Sequence, residues 1–382
     1  MQFGFTEAQE MFRRTVRDFA RKEIAPGAKE RAGLDHVSTE IKQKIANMGF
    51  WALNMPVEYG GQPADWVSTG IVIEEISKAD SCCGMSLTPN MVCSLAMTQA
   101  SEDVQKEWLP HMIKGDKLAC IAITEPDCGS DASAMKARAV REGEFYILNG
   151  EKAPVTMASQ SEIMIAFLKT DPSARAKGVS CFIVPLGTPG VSLSAIPYMG
   201  IKPAASASVT MEEVRIPARY RIGEEGQGFY VVMQQFDVLR IWVALASLGA
   251  AQASLEEAMD YAKQRTAFGK IIGKFEGISF KIAEDATRIE AARLLCYQAL
   301  WLSDQGISHT KETAMAKWFS VQAAVRTVHD AMLIFGHPGY SEEYPLEQRL
   351  KDVIASEFAD GTAEVMKLII AREMMGREVL PY

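Results

Sequence analysis

Hydrophobic and polar residues alternate with a helical period over the N-terminal third of the chain. Thr6 and Gln9 form a capping box, which predicts the start of the first helix. Apolar positions three and four apart predict helices over residues 41–48 and 67–78, and the same period continues to about residue 112. A Lys-Gly-Asp sequence then interrupts the pattern, so we expect an N-terminal helical domain over residues 1–116.

Short runs of β-branched and aromatic residues replace the helical period from residue 117 onward. Turn residues separate these runs at the spacing of a small antiparallel barrel or sandwich, which predicts a middle β domain over residues 117–226. Asn149 and Gly150 are predicted to form a hairpin turn, because both residue types tolerate positive φ. The predicted strands cover residues 120–123, 145–148, 163–168, 179–184, 191–196 and 208–214.

The helical period returns after Gly228 and persists almost to the C-terminus. Apolar stripes cover most of residues 229–264, 311–334 and 346–377, and another lies within 282–296. We therefore predict an α+β multi-domain chain whose C-terminal part, residues 227–382, is a four-helix bundle. The chain has no strict Gly-x-Gly-x-x-Gly sequence after a strand, which argues against a Rossmann nucleotide site.

Composition narrows the function classes. The 382 residues are 48% hydrophobic and 23% charged, with a net charge of −8, and no Lys/Arg block is interleaved with aromatic residues, so nucleic acid is an unfavoured partner. The seven cysteines and five histidines lack metal-ligand spacing, which predicts no metal site. The absence of a long apolar run or an import leader predicts a cytoplasmic protein without membrane insertion.

A polar loop is predicted where the helices give way to strands. Residues 124–131 read TEPDCGSD and combine turn-forming Pro and Gly with five polar side chains. Such a segment is a candidate binding loop, although in isolation a solvated turn between domains is the favoured interpretation of this composition. Other motifs in the chain therefore decide how this loop is interpreted.

Four motifs in this order resemble the FAD-dependent acyl-CoA dehydrogenase family over essentially the whole chain. They are TEPDCGSD at 124–131, RTAFG at 265–269, FGHPGY at 335–340 followed by EYP at 343–345, and DGT at 360–362 leading into IIARE at 369–373. The resemblance implies an enzyme that oxidises an acyl-CoA thioester to an enoyl-CoA, with FAD as cofactor. A carboxylate would remove the α-proton, and flavin N5 would accept the β-hydride.

The resemblance also implies roles for individual residues. Asp360 matches the catalytic base, whose backbone N–H, with a flavin ribityl hydroxyl, would stabilise the developing enolate. Asp237 and Arg240 match the helix that lines the CoA tunnel, and Arg240 is assigned with Asp360 to catalysis. The residues implied to contact FAD are Ile121, Ile123, Thr124, Ser130, Thr156, Arg265, Phe268, Leu333, Gly336, His337, Thr362 and Glu364. Those implied to contact the substrate are Asn90, Ser130, Pro154, Asp237, Arg240 and Gly361.

The sequence departs from the family pattern at the acyl end of the pocket. Asp360 replaces the usual Glu, which shortens the base by one methylene, and Ala359 and Pro154 replace large aromatic residues. The freed volume favours a bulky acyl group, such as a cyclohexane- or cyclohexenecarboxyl-CoA. Residues 87–91, which include Asn90, lie where an alternative base could stand but carry no carboxylate. At the cofactor interface, Ala267 and Leu333 replace two Gln residues, which predicts weaker contacts to the adenine end of FAD.

The resemblance implies further partners and leaves alternatives open. Arg265 and Phe268 would contact the FAD of a neighbouring subunit, so a homotetramer is implied, and an electron-transfer flavoprotein would accept the electrons. The same site could run in reverse as an enoyl-CoA reductase, or the fold could be a non-catalytic scaffold. In isolation, Arg240 could also form a structural ion pair, and Asp360 could cap the last helix.

Overall fold

The computed structural model describes residues 4–376 and 378 and contains the predicted sequence of helices, strands and helices. The helical N-terminal domain is confirmed. The Thr6 hydroxyl accepts the backbone N–H of Gln9, and the Gln9 side chain accepts that of Thr6, so the capping box forms. The helices of this part are α1 (Glu7–Phe19), which runs into a π-helical turn (Ala20–Ile24), α2 (Ala28–Ala32), α3 (Thr39–Asn47), α4 (Trp66–Ala79), α5 (Ser81–Met97) and α6 (Glu102–Lys114).

The middle domain is one mixed sheet with mostly antiparallel pairing. Its strands are β1 (Ala119–Ala122), β2 (Arg138–Glu142), β3 (Phe145–Val155), β4 (Ile163–Lys169), β5 (Val179–Pro185), β6 (Val191–Ala195), β7 (Ala207–Pro217) and β8 (Arg221–Ile222). The strands follow the order β6-β7-β3-β2-β4-β5-β8, and β1 pairs with β4. The β1–β4 and β2–β4 pairings are parallel, so the predicted purely antiparallel arrangement is wrong at these two contacts.

The predicted hairpin turn at Asn149 and Gly150 is also wrong. Both residues lie inside β3, where the register with β7 shifts and Glu213 adopts a positive φ of 52°. Asn149 stabilises this bulge, because its side chain donates to the Glu213 carboxylate at 2.7 Å and accepts the Glu213 N–H at 2.9 Å. The turn lies instead before β3, at Gly143, and connects it to β2, a strand that the hydrophobic pattern did not predict.

The C-terminal domain is built around one long helix. Helices α7 (Gly228–Gln264), α8 (Glu276–Asp304), α9 (Thr310–Phe335) and α10 (Leu346–Phe358) pack as a bundle, α11 (Ala363–Met375) packs on α9, and a small hairpin of β9 (Thr266–Ala267) and β10 (Lys270–Ile271) follows α7. By length and composition α7 alone among the described helices could cross a membrane. However, 94% of its most apolar window is buried against other elements of the fold, which is typical of a core helix.

Asp352 connects three parts of the fold. This fully buried carboxylate on α10 accepts hydrogen bonds from Ser81 and Cys82 at the start of α5, from the backbone N–H of Ile201 in the middle domain, and from Gln348. Burial raises the pKa of Asp352 to about 6, because the energetic cost of desolvating the charge exceeds the benefit of its hydrogen bonds. The residue therefore fixes the middle domain against both helical domains.

Candidate active site

The TEPDCGSD loop lies against the end of β3. The backbone carbonyl of Thr124 accepts the backbone N–H of Ala153 at 3.0 Å. Glu125 and Cys128 exchange backbone hydrogen bonds of 2.9 and 3.1 Å. Ser130 is exposed at the tip of the loop. The loop is thus a defined turn, held beside the strand that carries Pro154 and Thr156.

A buried ion pair holds this loop in place. The ammonium of Lys152 is fully buried and lies 2.7 Å from the Glu125 carboxylate, and it also donates to the carbonyl of Ile123 at 3.0 Å. Glu125 accepts the backbone N–H groups of Lys136 and Ala137 as well. Burial lowers the pKa of Lys152, although the charge of Glu125 opposes that shift. Sequence reasoning did not identify this pair, because its members are 27 residues apart and only the folded sheet brings them together.

Several residues near the loop are among those predicted to contact FAD. The hydroxyls of Thr124, Ser130 and Thr156 make no hydrogen bond within residues 4–376 and 378, and Thr156 and Ser130 are exposed. These hydroxyls can therefore bond an added cofactor. Pro154 is exposed beside them and Ile121 is half-buried, whereas Ile123 is almost entirely buried. Ile123 contributes its carbonyl to the Lys152 site rather than an open apolar surface.

Asp360 lies in a tight connection between α10 and α11. Its φ is 56° and that of Gly361 is 103°, so two consecutive residues adopt positive φ. Thr362 caps α11 by accepting the Val365 N–H at 3.4 Å, so Thr362, not Asp360, is the capping residue. The capping alternative for Asp360 is therefore wrong, and its carboxylate is not used to begin the helix.

Two cationic side chains hold the backbone on either side of this turn. Arg240 is 5% exposed and donates from Nε to the carbonyl oxygen of Asp360 at 2.9 Å. Lys317, which is 1% exposed, donates to the carbonyls of Gly361 and Ser356. Arg240 also lies over the ring of Phe236, with its Cζ 5.1 Å from the ring centroid. The turn is thus fixed to α7 and α9 through charged donors.

The same groups set the electrostatics around the Asp360 carboxylate. Burial raises the pKa of Asp360, and the nearby charges of Lys317 and Arg240 oppose that rise. Burial lowers the pKa of Lys317 to about 8 and also lowers that of Arg240. A carboxylate poised between desolvation and two cations has the properties that a general base requires.

Asp237 lies three residues before Arg240 on α7. Its carboxylate accepts the hydroxyl of Thr310 at 3.1 Å and its carbonyl accepts that of Thr313 at 3.1 Å, while burial raises its pKa. Asp237 lines a cavity of about 340 Å³ between α4, α5, α7 and the start of α9, into which Trp66, Leu95, Gln234 and His309 also project. The cavity therefore lies along the helix that carries Arg240.

Asn90 does not face an open pocket. It is fully buried, its amide donates to the carbonyl of Met112 at 3.2 Å, and it accepts the N–H of Ala119 at 3.0 Å. Both ends of the side chain therefore connect α6 to β1. The expectation that Asn90 contacts the substrate is wrong, because no atom of its side chain is accessible and both ends of its amide are hydrogen-bonded inside the fold.

The predicted cofactor residues of the C-terminal domain form a second, separate set. Tyr261 and Phe335 stack with ring centroids 4.2 Å apart, so the ends of α7 and α9 meet, and Arg265, Phe268, Leu333, Gly336 and His337 are all exposed at this end. Phe268 is 95% exposed. Arg265 directly follows α7 and lies 25 residues after Arg240, or about 37 Å along the helix at a rise of 1.5 Å per residue. Within a single chain, these exposed residues therefore lie far from the turn that carries Asp360.

The remaining predicted residues lie on α11, and no metal site accompanies them. Glu364 is exposed in the first turn of α11, and hydrogen bonds, mainly from its own backbone, lower its pKa. Thr362 is half-buried. Among residues 4–376 and 378, no group of three His, Cys, Asp or Glu side chains could hold a metal ion. The chemical groups of the candidate site are therefore the Asp360 carboxylate, two cationic side chains and several hydroxyls.

Comparison with known proteins identifies the family. Models of the N-terminal, middle and C-terminal domains of acyl-CoA dehydrogenase match residues 6–116, 120–214 and 226–375. The chain belongs to the acyl-CoA dehydrogenase family. Membership of this family confirms the predicted enzyme class, an oxidoreductase acting on CH–CH donors, and the predicted cofactor, FAD.

Three similar proteins show the range within the family. The chain is 40% identical to a 3-(aryl)acrylate reductase of Clostridium sporogenes, over 97% of this chain and 99% of that protein. It is 33% identical to butyryl-CoA dehydrogenase from Megasphaera elsdenii, over 98% and 100% of the chains, with a TM-score of 0.94. It is 30% identical to PigA, solved with FAD and proline, over 99% and 100%, with a TM-score of 0.96.

Proposed function

We propose that this acyl-CoA dehydrogenase removes the α-proton of a bulky or alicyclic acyl-CoA with Asp360 as the base. The observation that carries this proposal is the position of Asp360 in a left-handed turn, with its backbone held by Arg240 at 2.9 Å and its carboxylate beside Lys317. Loss of the α-proton to the carboxylate and of the β-hydrogen as a hydride forms the C=C bond of the enoyl-CoA. Bound FAD would supply the acceptor for that hydride.

The protein would stabilise the developing enolate from its own backbone. The N–H of Asp360 makes no hydrogen bond within residues 4–376 and 378 and is available to the thioester oxygen. Thr124, Ser130 and Thr156 would hold the flavin end of FAD through hydroxyls that have no partner within the same residues. Asp237 and Gly361 would contact the CoA thioester on the side of α7.

The acyl group is proposed to be wide rather than slim. Ala359 and Pro154 are both exposed, so the positions where the family carries large rings leave space at the surface of the site. Asp360 is one methylene shorter than Glu, and an error of about 1 Å in placement costs about 100-fold in rate unless the substrate sits differently. The likeness to PigA, solved with proline, supports a ring near the carboxyl carbon. A cyclohexane- or cyclohexenecarboxyl-CoA meets these requirements.

A reductase is the second candidate. The chain is 40% identical to a protein named for reducing 3-(aryl)acrylates, which supports catalysis in the direction of C=C reduction. In that direction Asp360 would return the proton to the α-carbon of the product. The same residues serve both directions, so the direction depends on the redox partner rather than on the geometry of the site.

The proposed assembly is a homotetramer that exchanges electrons with an electron-transfer flavoprotein. The large exposed side chains of Phe268, Leu333 and Tyr340 support a subunit interface at the far end of α7 and α9. Arg265 would contribute its guanidinium to the pyrophosphate of a neighbouring subunit's FAD. The length of α7 supports this arrangement, because Arg265 lies about 37 Å from Arg240 along the helix.

Anaerobic titration of the purified flavoprotein tests the proposal. We expect cyclohexanecarboxyl-CoA to bleach the visible absorbance of the oxidised flavin, and butyryl-CoA to bleach it weakly or not at all. Bleaching by butyryl-CoA alone would contradict the wide pocket. If no thioester bleaches the flavin, chemically reduced protein is mixed with cyclohex-1-enecarboxyl-CoA. Reoxidation supports the reductase, and a protein purified without flavin supports the scaffold.

A further inference from the structure

Lys317 is a buried lysine that none of the predicted roles includes. Its side chain extends from α9, is 1% exposed, and donates from Nζ to the carbonyl of Ser356 at 2.9 Å and to the carbonyl of Gly361. Ser356 belongs to the last turn of α10, and Gly361 follows Asp360 directly. One ammonium therefore joins the backbone on both sides of the proposed base.

Arg240 completes this arrangement from a different helix. It donates to the carbonyl of Asp360, so consecutive carbonyls, those of Asp360 and Gly361, are held by side chains from α7 and α9. Ser356 is fixed as well, since the Ser247 and Ser356 hydroxyls lie 3.1 Å apart. With both carbonyls held from α7 and α9, the positive φ values of Asp360 and Gly361 are over-determined.

On the basis of the function proposed above, we infer that Lys317 is a positioning residue for proton abstraction, which fixes the turn of Asp360 and supplies a positive charge beside its carboxylate. A neutral donor would suffice to close the end of α10, and burying an ammonium is costly unless the charge is needed. The charged groups that face Lys317 are Asp360 in the turn, Arg240 on α7 and Glu357 on α10.

The electrostatics support this geometry and predict two limbs in the pH profile. The charge of Lys317 lowers the pKa of Asp360, so removal of that charge raises the pKa of the base. The pKa of Lys317 itself is about 8, so the ammonium is lost above that pH and its hold on Gly361 weakens. A lysine that only filled space would influence neither limb.

The test compares Lys317→Met with Lys317→Arg in the flavin-loaded protein. The rate of flavin bleaching by saturating cyclohexanecarboxyl-CoA is measured between pH 5 and 10, with butyryl-CoA if only that thioester reacts. For Lys317→Met we expect about a 100-fold fall in the limiting rate, with a much smaller change in the half-saturating thioester concentration. We also expect the acid limb to move to higher pH, because the charge that lowers the pKa of Asp360 is removed.

Lys317→Arg keeps a positive charge that does not titrate. We expect it to restore most of the rate and to abolish the fall in activity above about pH 8. Lys106→Met, at an exposed ion pair on α6, is the control and should match the wild type. Visible flavin absorbance and the unfolding midpoint of each variant show whether it has folded.

The outcomes separate this inference from the proposed function. A wild-type protein that no thioester bleaches overturns the function itself. If the wild type reacts and Lys317→Met reacts at the same rate with the same acid limb, only the role of Lys317 is overturned. A slow but folded Lys317→Met variant with an unshifted acid limb, or an Arg variant that loses activity above pH 8 as the wild type does, also contradicts the inference.

Discussion

Lys152 lies 2.7 Å from Glu125, and both side chains are buried at the base of the loop that is proposed to meet the flavin. Removing one partner would leave the other charge buried and unpaired, which costs about 3–5 kcal/mol. We therefore expect Lys152→Met to lower the free energy of unfolding by that amount and to reduce the flavin retained on purification. Urea denaturation and the ratio of visible to ultraviolet absorbance measure both effects.

The same loop offers a matched control at its surface. Lys136 pairs with Asp127 at 2.8 Å, but both side chains are about three-quarters exposed. Exposed pairs contribute less than about 1 kcal/mol, so Lys136→Met should unfold like the wild type and keep its flavin. Equal losses in the two variants would show that burial of the Lys152 pair is not what holds the loop.

Gly200 packs against α10 where the middle domain meets the C-terminal domain. A Cβ at this position would collide with the backbone carbonyl of Lys351 and lie 2.9 Å from the N of Asp352. We expect Gly200→Ala to cost about 1–3 kcal/mol of unfolding free energy. Gly187→Ala, in a turn with no atom within 4 Å of the added Cβ, should change it by less than about 0.5 kcal/mol. Thermal unfolding of both variants tests this, and a stable Gly200→Ala variant would contradict the close packing.

The stability of the fold should depend on the protonation of Asp352. Its pKa is about 6 in the folded chain, against 3.8 for an unburied Asp such as that of the unfolded chain. Between these two pH values the folded state therefore keeps a proton that the unfolded state has released. The free energy of unfolding contributed by this group therefore falls as the pH rises from about 4 to 6. Asp352→Asn should lack that decline, whereas Asp18→Asn, at an exposed site, should retain it. Urea denaturation at pH 4, 5, 6 and 7 measures the difference.

The sequence predicted those features that depend on local patterns. The capping box of Thr6 and the helix and strand runs follow from the spacing of apolar residues along one segment. Asn149 and Gly150 have the residue types of a hairpin turn, yet they lie at a bulge, because the side chain of Asn149 pairs with Glu213, 64 residues later in the chain. Local propensity cannot predict a register that a distant strand decides.

The site divides in the same way. Asp360 and Arg240 were identified from motifs, whereas Lys317 and the Lys152–Glu125 pair were not, because their roles arise from contacts between distant elements. Asn90 was assigned to the substrate from its place in the sequence, but its amide connects two backbone groups inside the fold. A polar residue in an apolar helix can either contact a substrate or satisfy buried backbone groups, and only its hydrogen-bond partners distinguish these two roles.

Asp360 should be required for the chemical step but not for folding. Asp360→Asn keeps the size of the side chain but cannot accept the α-proton, so we expect a loss of about 10³-fold in the rate of flavin bleaching. Flavin content should be unchanged, because the carboxylate is not needed to cap α11. Asp260→Asn, at an exposed ion pair on α7, is the control. Near-full activity of Asp360→Ala would exclude Asp360 as the base.

Ala359 should decide the width of the acyl group. The residue is exposed beside Asp360, so a tyrosine there can point into the site without displacing the core. We expect Ala359→Tyr to lower the rate with cyclohexanecarboxyl-CoA by about 10- to 100-fold, since the ring would displace the alicyclic group, while the rate with butyryl-CoA is unchanged or rises. Stopped-flow bleaching with both thioesters gives the ratio of rates.

Ala8→Tyr, on the exposed face of α1, provides the control for adding a large ring without changing the site. A parallel loss with both thioesters in Ala359→Tyr would indicate a displaced Asp360 rather than a narrower pocket, since the base serves both substrates alike. An unchanged ratio with full activity would place the acyl group away from Ala359. In that case the one-methylene difference at Asp360 and the volume lost at Pro154 would have to determine where the substrate binds.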